Sequence, residues 1–473
     1  MRKDTDVVVL GAGPAGLTAA WQAARRGLSV TLLERQPQVG GMAATVIVDG
    51  VAVDRGSHRL HPATPPHVLD DLRSLLGTDL QTRSRRGRLR LYGQWVDFPL
   101  RAAELARTVP PSAVARIGRD AALAPLRARR AAGDPSTSSS YASVLTGSLG
   151  PELYQAMYAP YALKLWGLPG EQIDAEQARV RVTADTPWKV AARVLRGSSG
   201  GNGQGRVFHY PRRGFGQLSE ALAAAGVEAG VDLRTATDVT GVHIADGNAV
   251  VTTGTGDDLR AGRVLSTLPL PLLARLVDPP APAPAVAAAA GLRFRAMVLV
   301  YLVHLGGRWT GYDAHYLPGP QTPVTRVSEP ANYRDSGDDP ADRSVLCAEI
   351  PCTVGDDVWS ADDATLTRLV VDSLAAVDLP PVRLGRVQTH RLPHVYPVFE
   401  QGYASRLAAL EAWAGQLPSV TTLGRSGLFA HDNTHHAMVM AYDAADCLGP
   451  GGAWDSARWS AARERFRAHV VED

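Results

Sequence analysis

The alternation of apolar and polar positions opens with residues 6–10 (DVVVL), a short continuous apolar run of the kind buried on both faces of a parallel sheet. It leads into Gly11-Ala12-Gly13-Pro14-Ala15-Gly16, then a helical pattern over 17–26 that Gly27 ends. Residues 28–33 (LSVTLL) predict a second strand closing on Glu34. Further on, 231–244 and 249–253 predict strands parted by the turn Asp246-Gly247-Asn248, and 217–225 predicts a helix. Strand-like runs recur at 297–303 and 345–350. Residues 101–204 are Ala/Arg-rich and helical in pattern, closing on a flexible glycine-rich stretch at 197–205. The apolar stretch 285–305 carries Arg293 and Arg295, so it predicts a turn into a buried strand rather than a membrane span. There is no internal repeat.

The first unit carries chemistry. In G-x-G-x-x-G after a strand, Gly11 permits the tight turn, Gly13 lets backbone approach a pyrophosphate, and Gly16 lets the helix pack on the strand. The helix start, with Pro14 and Ala15, offers amides and a dipole to phosphate. Glu34 stands about 20 residues beyond the glycines, where a ribose-binding carboxylate belongs. Strand, glycines, helix, strand and terminal acid together mark a dinucleotide site.

The segments beyond Glu34 resemble those of one flavoprotein superfamily. Glu34-Arg35, then Gly40-Gly41-Met42, is similar to the E-xxxxx-GG segment of the group containing amine oxidases, protoporphyrinogen oxidase, phytoene desaturases and UDP-galactopyranose mutase. The resemblance implies FAD, with the glycine pair along pyrophosphate and flavin and Glu34 on the ribose. Asp54-Arg55-Gly56-Ser57-His58 looks like the family segment that passes beside the flavin ring; His58 also suits a satisfied core position. The resemblance places Val239 against adenine and Thr267 beside the cofactor. Gly424-Arg425-Ser426-Gly427, followed by His435, His436, Ala437 and Met438, resembles the C-terminal flavin motif, with a helix from near Ala437 through Cys447 aimed at the flavin pyrimidine edge.

These scattered segments imply an α/β fold: a Rossmann-like FAD-binding domain assembled from 1–100, 206–285 and 405–473, plus an α+β substrate domain. The latter comprises a mainly helical insertion at 101–205 and a stranded part at 286–404. Within the first insertion, residues 154–169 hold Lys164 and Trp166, similar to the K-x-W-G segment of the mutases, where the resemblance implies a pocket role. Tyr158, Tyr161 and Trp166 equally fit a helical core face. Residues 210–216 (YPRRGFG) resemble another turn of these relatives. Glu349-Ile350-Pro351-Cys352 is closer to the non-mutase relatives.

Composition narrows the picture. The chain has 473 residues, 45% hydrophobic and 20% charged, which fits a globular protein of more than one core. A net charge of +2 gives no sign of a nucleic-acid partner. Positive charge bunches at Arg83, Arg85, Arg86, Arg88 and Arg90, expected to be a solvated face rather than a phosphate-binding stripe. Lys3, Lys164 and Lys189 are the only lysines, which singles out Lys164. Cys347, Cys352 and Cys447 have no metal spacing and suit reduced thiols of a cytoplasmic protein. No esterase elbow, zinc motif or metal-ligand cluster is visible.

A flavin does its own bond chemistry, so no protein triad is required. His435 and His436 are candidate acid/base groups at the helix entrance, or simply a helix cap. The leading expectation is an FAD-dependent oxidoreductase taking hydride from a C–N or C–C bond of a small molecule onto N5. The alternative is mutase-like: reduced flavin N5 attacks a sugar-nucleotide anomeric carbon with no net redox change, with Arg179, Arg181 and Arg293 as plausible diphosphate ligands. A non-catalytic flavin carrier is a third class.

Overall fold

The computed structural model describes residues 3–98, 102–132, 140–182, 207–245 and 247–471. The glycine-rich stretch 197–205 and Asp246 of the expected turn lie outside them.

The N-terminal apolar run forms the centre of an eight-stranded sheet. Lys3–Leu10 pairs in parallel with Val30–Leu33 on one side (Val9↔Leu32) and with Asp258–Ser266 on the other (Val9↔Leu265). Asp258–Ser266 divides its edges by length. Its first half pairs antiparallel with Asn248–Thr253 (Ala249↔Ala261), and its last three residues pair in parallel with Val420–Thr422. Three distant stretches of chain therefore meet in one sheet. Helix Pro14–Arg25 packs on it with ten consecutive buried residues, Ala15 to Ala24, so its small side chains allow the close approach Gly16 begins. Helix Thr434–Asp446 lies against helix Pro14–Arg25 within the same core, contributing Met438, Met440, Ala441 and Ala444.

A second, seven-stranded sheet orders Leu384–Pro397, Phe294–Leu305, Arg343–Cys352, Arg326–Ser328, Ala314–Tyr316, Gly87–Leu91 and Gln94–Phe98. Phe294–Leu305, paired on both edges, is apolar on both faces: Val298, Val300 and Leu302 enter one core, Met297, Leu299, Tyr301 and Val303 the other. Residues 87–98 hydrogen-bond into this sheet through Ala314↔Gly87, although they lie within the first hundred residues.

Several elements differ from the sequence pattern. The run 231–244 is two strands: Asp232–Arg234 extends the first sheet beside Val30–Leu33, then Ala236 turns at φ +51° and Val239–Ala245 begins a hairpin. The stretch at 285 is first a helix, Ala283–Ala290, because Pro282 precedes a run of alanines, the best helix former; the expected strand follows as Phe294–Leu305. The C-terminal helix starts at Thr434 rather than near Ala437, since Asn433 serves as its N-cap. In the first insertion a π turn at Tyr154–Tyr158 precedes helix Ala159–Trp166 and shifts its phase. Among the described residues no helix is long and apolar enough to cross a membrane.

Candidate active site

A cavity of about 490 Å³ is lined from both sheets. Its first wall is the glycine turn. Gly11 adopts φ +96°, where a side chain is strained, and a Cβ there would meet Thr267 Oγ1 at 2.4 Å. A Cβ on Gly16 would lie 1.9 Å from the Gly11 carbonyl oxygen, so helix and strand touch through that glycine. A Cβ on Gly13 would meet nothing within 4 Å: that position faces open cavity. Helix Pro14–Arg25 begins at Gly13 with no side-chain cap, leaving its first amides for a ligand. Glu34 is fixed by the Ala12 amide donating to Oε2 and the Gln36 amide to Oε1, each at 2.8 Å. Thr267 donates its hydroxyl to the Leu10 carbonyl at 2.8 Å, tying the neighbouring strand end to the turn.

The second wall comes from Gly41, Met42, Arg55, Gly56, Ser57 and His58. Gly40 lies behind it, its amide donating to the Ala12 carbonyl at 2.7 Å. Asp54, fully buried, fixes this segment by accepting from the Phe215 amide at 2.9 Å, from the Thr45 hydroxyl at 2.6 Å and from the Tyr210 hydroxyl. Arg55 donates to the Gly41 carbonyl at 3.2 Å. His58 stacks on Phe215 with ring centroids 5.4 Å apart, and burial lowers its pKa against the pull of Asp54. Gly424, Arg425 and Ala437 close the wall from the C-terminal part of the chain.

The far side belongs to the second sheet and the helical insertion. Met297, Leu299, Tyr161 and Leu165 give apolar lining, and residues 390–396 run along it. Among the described residues, eight arginines line the cavity (Arg35, Arg55, Arg59, Arg85, Arg181, Arg326, Arg391, Arg425) against three carboxylates (Glu34, Glu349, Asp432). Arg326 pairs with Glu349 at 2.8 Å, and Glu349 also accepts from the Ser57 amide at 2.9 Å, joining the sheet to the second wall. Arg59 lies on the rings of Phe208 and Tyr333, Arg85 on Phe98, and both donate to Tyr316 Oη at 3.3 and 3.4 Å. Nothing in the sequence pattern sets Arg59 and Arg85 apart from their neighbours; the arginine bunch around residue 85 is not a plain solvated face. Arg88 lies between the Trp95 and Tyr312 rings, and Arg90 pairs with Asp378.

Of the residues singled out by sequence, Gly11, Gly13, Pro14, Ala15, Glu34, Arg35, Gly41, Met42, Gly56, Ser57, His58, Thr267, Gly424, Arg425 and Ala437 line the one cavity. Gly16 and Gly40 support it from behind. Val239 lies in the hairpin strand and Met438 in the core, both set back from it. Trp166 is buried against Tyr141, and Lys164 donates from Nζ to the Leu317 and Val324 carbonyls at 2.6 and 3.1 Å. Their helix instead presents Tyr161 and Leu165, one turn apart, to the cavity. Burial, with His436, His61 and His469 nearby, depresses His435 to about 3, so it stays neutral at neutral pH. His436 Nδ1 accepts from the Asn433 amide at 3.2 Å, a cap. Of the proposed diphosphate arginines only Arg181 lines the cavity; Arg179 pairs with Glu176 and Arg293 with Glu400.

Asp432, His436 and His469 bring ligand-type atoms within 4.8 Å of one another. The two imidazoles stack at 14° with centroids 4.2 Å apart, so their in-plane lone pairs do not converge on one ion. His469 Nδ1 instead lies 2.9 Å from Asp432 Oδ1. Burial alone would raise the Asp432 carboxyl, but these two histidines outweigh it and lower it.

The family described as flavin containing amine oxidoreductase matches residues 14–445. Hydroxyneurosporene desaturase of Rhodobacter capsulatus is 47% identical over 78 residues, 16% of this chain and 15% of that protein. Protoporphyrinogen oxidase 2 of Arabidopsis thaliana is 41% identical over 68 residues, 14% of this chain and 13% of that one. The matched stretches thus span well under a fifth of these curated relatives. Among solved structures, reduced UDP-galactopyranose mutase superposes with a TM-score of 0.82 at 19% identity, covering 99% of this chain and 100% of that one. Putrescine oxidase bound to putrescine gives 0.66 at 20% identity, covering 94% and 99%. These likenesses show a shared fold.

Proposed function

Because the chain belongs to the family of flavin containing amine oxidoreductases, we propose that it is an FAD-dependent oxidoreductase that takes hydride from a small-molecule substrate. The observation that carries this reading is the convergence of Gly13, Glu34, Gly41, Gly56, Thr267 and Gly424, from three stretches of chain, on one cavity.

The residues present fit a dinucleotide flavin. Open space beside Gly13 and the uncapped helix start suit a pyrophosphate, and the fixed carboxylate of Glu34 suits ribose hydroxyls. Bound FAD would supply the electron-accepting N5 position. The chain's part is placement: Gly41, Met42, Gly56 and Ser57 along the ring system, the amide end of helix Thr434–Asp446 toward the charge that gathers on reduction, and Tyr161, Leu165, Met297 and Leu299 excluding water. Residues 3–84, 207–285 and 405–471 would form the cofactor domain, and the pairing of 87–89 with 314–316 supports counting 87–98 with the substrate domain instead. A cytoplasmic location rests on the three free, buried cysteines.

A second reading, redox-neutral catalysis on a sugar nucleotide, draws support from Arg59, Arg85 and Arg181, cavity arginines beyond those the FAD reading uses. Anaerobic mixing of the FAD-loaded protein with amines, polyenes, porphyrinogens and sugar nucleotides separates the two. Bleaching of the flavin by a substrate supports the oxidoreductase; turnover only after prior reduction by dithionite overturns it in favour of the second reading.

A further inference from the structure

A second cleft, of about 620 Å³, opens on the other side of the loop that carries Arg85. Consecutive residues divide between the two sites: Arg85 lines the candidate active site and Arg86 the second cleft. The wall consists almost wholly of polar side chains, contributed by strand Leu80–Ser84 and by the loops at 308–313 and 331–335. Among the described residues it contains no aromatic side chain, unlike the active-site cavity.

Charge in the cleft is not balanced. Two of the local carboxylates already have cations: Asp339 holds Arg334, and Asp313 lies 3.8 Å from Arg59 while accepting the Arg86 amide. Taking out these pairs leaves Arg83, Arg86 and Arg308 against Asp335 and against Glu329, buried near Arg308, a surplus of one positive charge by that count. Arg334 belongs to the wall itself. It is 2% exposed; its Nε and Nη2 are taken by Asp339 and the Ala52 carbonyl, and its Nη1 has no hydrogen-bond partner.

We propose that this cleft binds the phosphate monoester of a small hydroxylated molecule. A phosphate monoester carries about two negative charges at neutral pH, so the positive surplus attracts it. Arg83, Arg86 and Arg308 would supply forked N–H donors, and the Ser84 hydroxyl a further one. The cleft is far larger than a phosphate group alone, and its polar lining suits hydroxyls rather than an apolar tail. The proposal stands apart from the flavin chemistry, since no residue is shared between the two linings.

The test is calorimetric titration of the full-length, flavin-loaded protein at low salt, first with inorganic phosphate and then with a hexose phosphate. Saturable binding is expected for both, tighter for the hexose phosphate. The double variant R83A/R308A should lose at least about tenfold in affinity, the loss of one or two charge-assisted hydrogen bonds, with an unchanged flavin absorption spectrum as evidence of an intact fold. The charge-retaining pair R83K/R308K should recover part of the affinity. A control at exposed arginines elsewhere, R368A/R386A, should bind as the unaltered chain does. Absence of saturation up to about 10 mM, binding unchanged in R83A/R308A, or an equal loss in R368A/R386A overturns the proposal.

Discussion

Glycines at 13 and 16 look alike in a motif and do opposite work in space. A Cβ at Gly16 collides with the backbone of Gly11, whereas one at Gly13 enters open cavity. Gly16→Ala is therefore expected to destabilise the fold by about 3 kcal/mol through forced displacement of the helix. Gly13→Ala should cost within about 1 kcal/mol of stability yet leave the purified protein depleted of flavin; denaturant midpoints and flavin absorbance check both. The reverse pattern would show that the cradle has been misassigned. Lys164 is conspicuous in the sequence because lysine is so scarce, and the structure gives that scarcity a different sense. Burial holds its ammonium at about 7, against an ordinary value of 10.5. Between those values the unfolded chain binds more protons than the folded one, so this residue makes stability rise as pH climbs from about 7 toward 10.5. Comparing thermal midpoints of the unaltered chain and Lys164→Met across that range should show the rise diminished in the variant; parallel profiles would contradict it. Motif reading finds the residues whose backbone must approach a ligand. It misses Asp54, Arg326 and Glu349 as supports, because their partners lie about 160, 270 and 290 residues away and carry no local signal.

At the level of elements, the βαβ unit is legible because its period, its glycines and its terminal acid agree. The break within 231–244 is not, because apolar periodicity continues across a change of direction. Ala236 makes that turn at φ +51°, exposed, with its amide bonded to the Gln36 carbonyl. A non-glycine residue there is strained by about 1–2 kcal/mol, partly offset by the entropy glycine loses on folding. Ala236→Gly should accordingly stabilise the protein by about 0.5–1 kcal/mol, seen as a raised thermal midpoint; a lowered midpoint would mean the turn is not under strain. Helix Thr434–Asp446 is recognisable in the sequence but begins three residues before its expected start, since the Asn433–His436 cap reads from sequence as a polar turn. Likewise the helical face of Ala159–Trp166 cannot be phased from the pattern, because the π turn before it rotates which side chains reach the cavity.

Over the whole molecule, the site exists only where two walls are held together, and a buried carboxylate, Glu349, bridges them. Arg326 and Glu349 pair on adjacent strands of the second sheet, and Glu349 reaches across to the Ser57 amide on the other wall. Removing one partner strands the other charge, so Arg326→Met should destabilise by about 3–5 kcal/mol, and weaken flavin retention at temperatures where the fold survives. Loss of stability with full flavin retention would show that the pair serves the second sheet alone. That the cofactor frame is discontinuous can be inferred from the order of its motifs; how residues 87–98 cross into the second sheet cannot, since strand pairing at a separation of more than two hundred residues leaves no mark in either partner. The function turns most directly on the identity of what the cavity holds. Heat-denaturing the purified chain and chromatographing the released chromophore should yield FAD, equimolar with protein. Recovery of FMN, or of no flavin from a folded chain that also fails to take up added FAD, would contradict it.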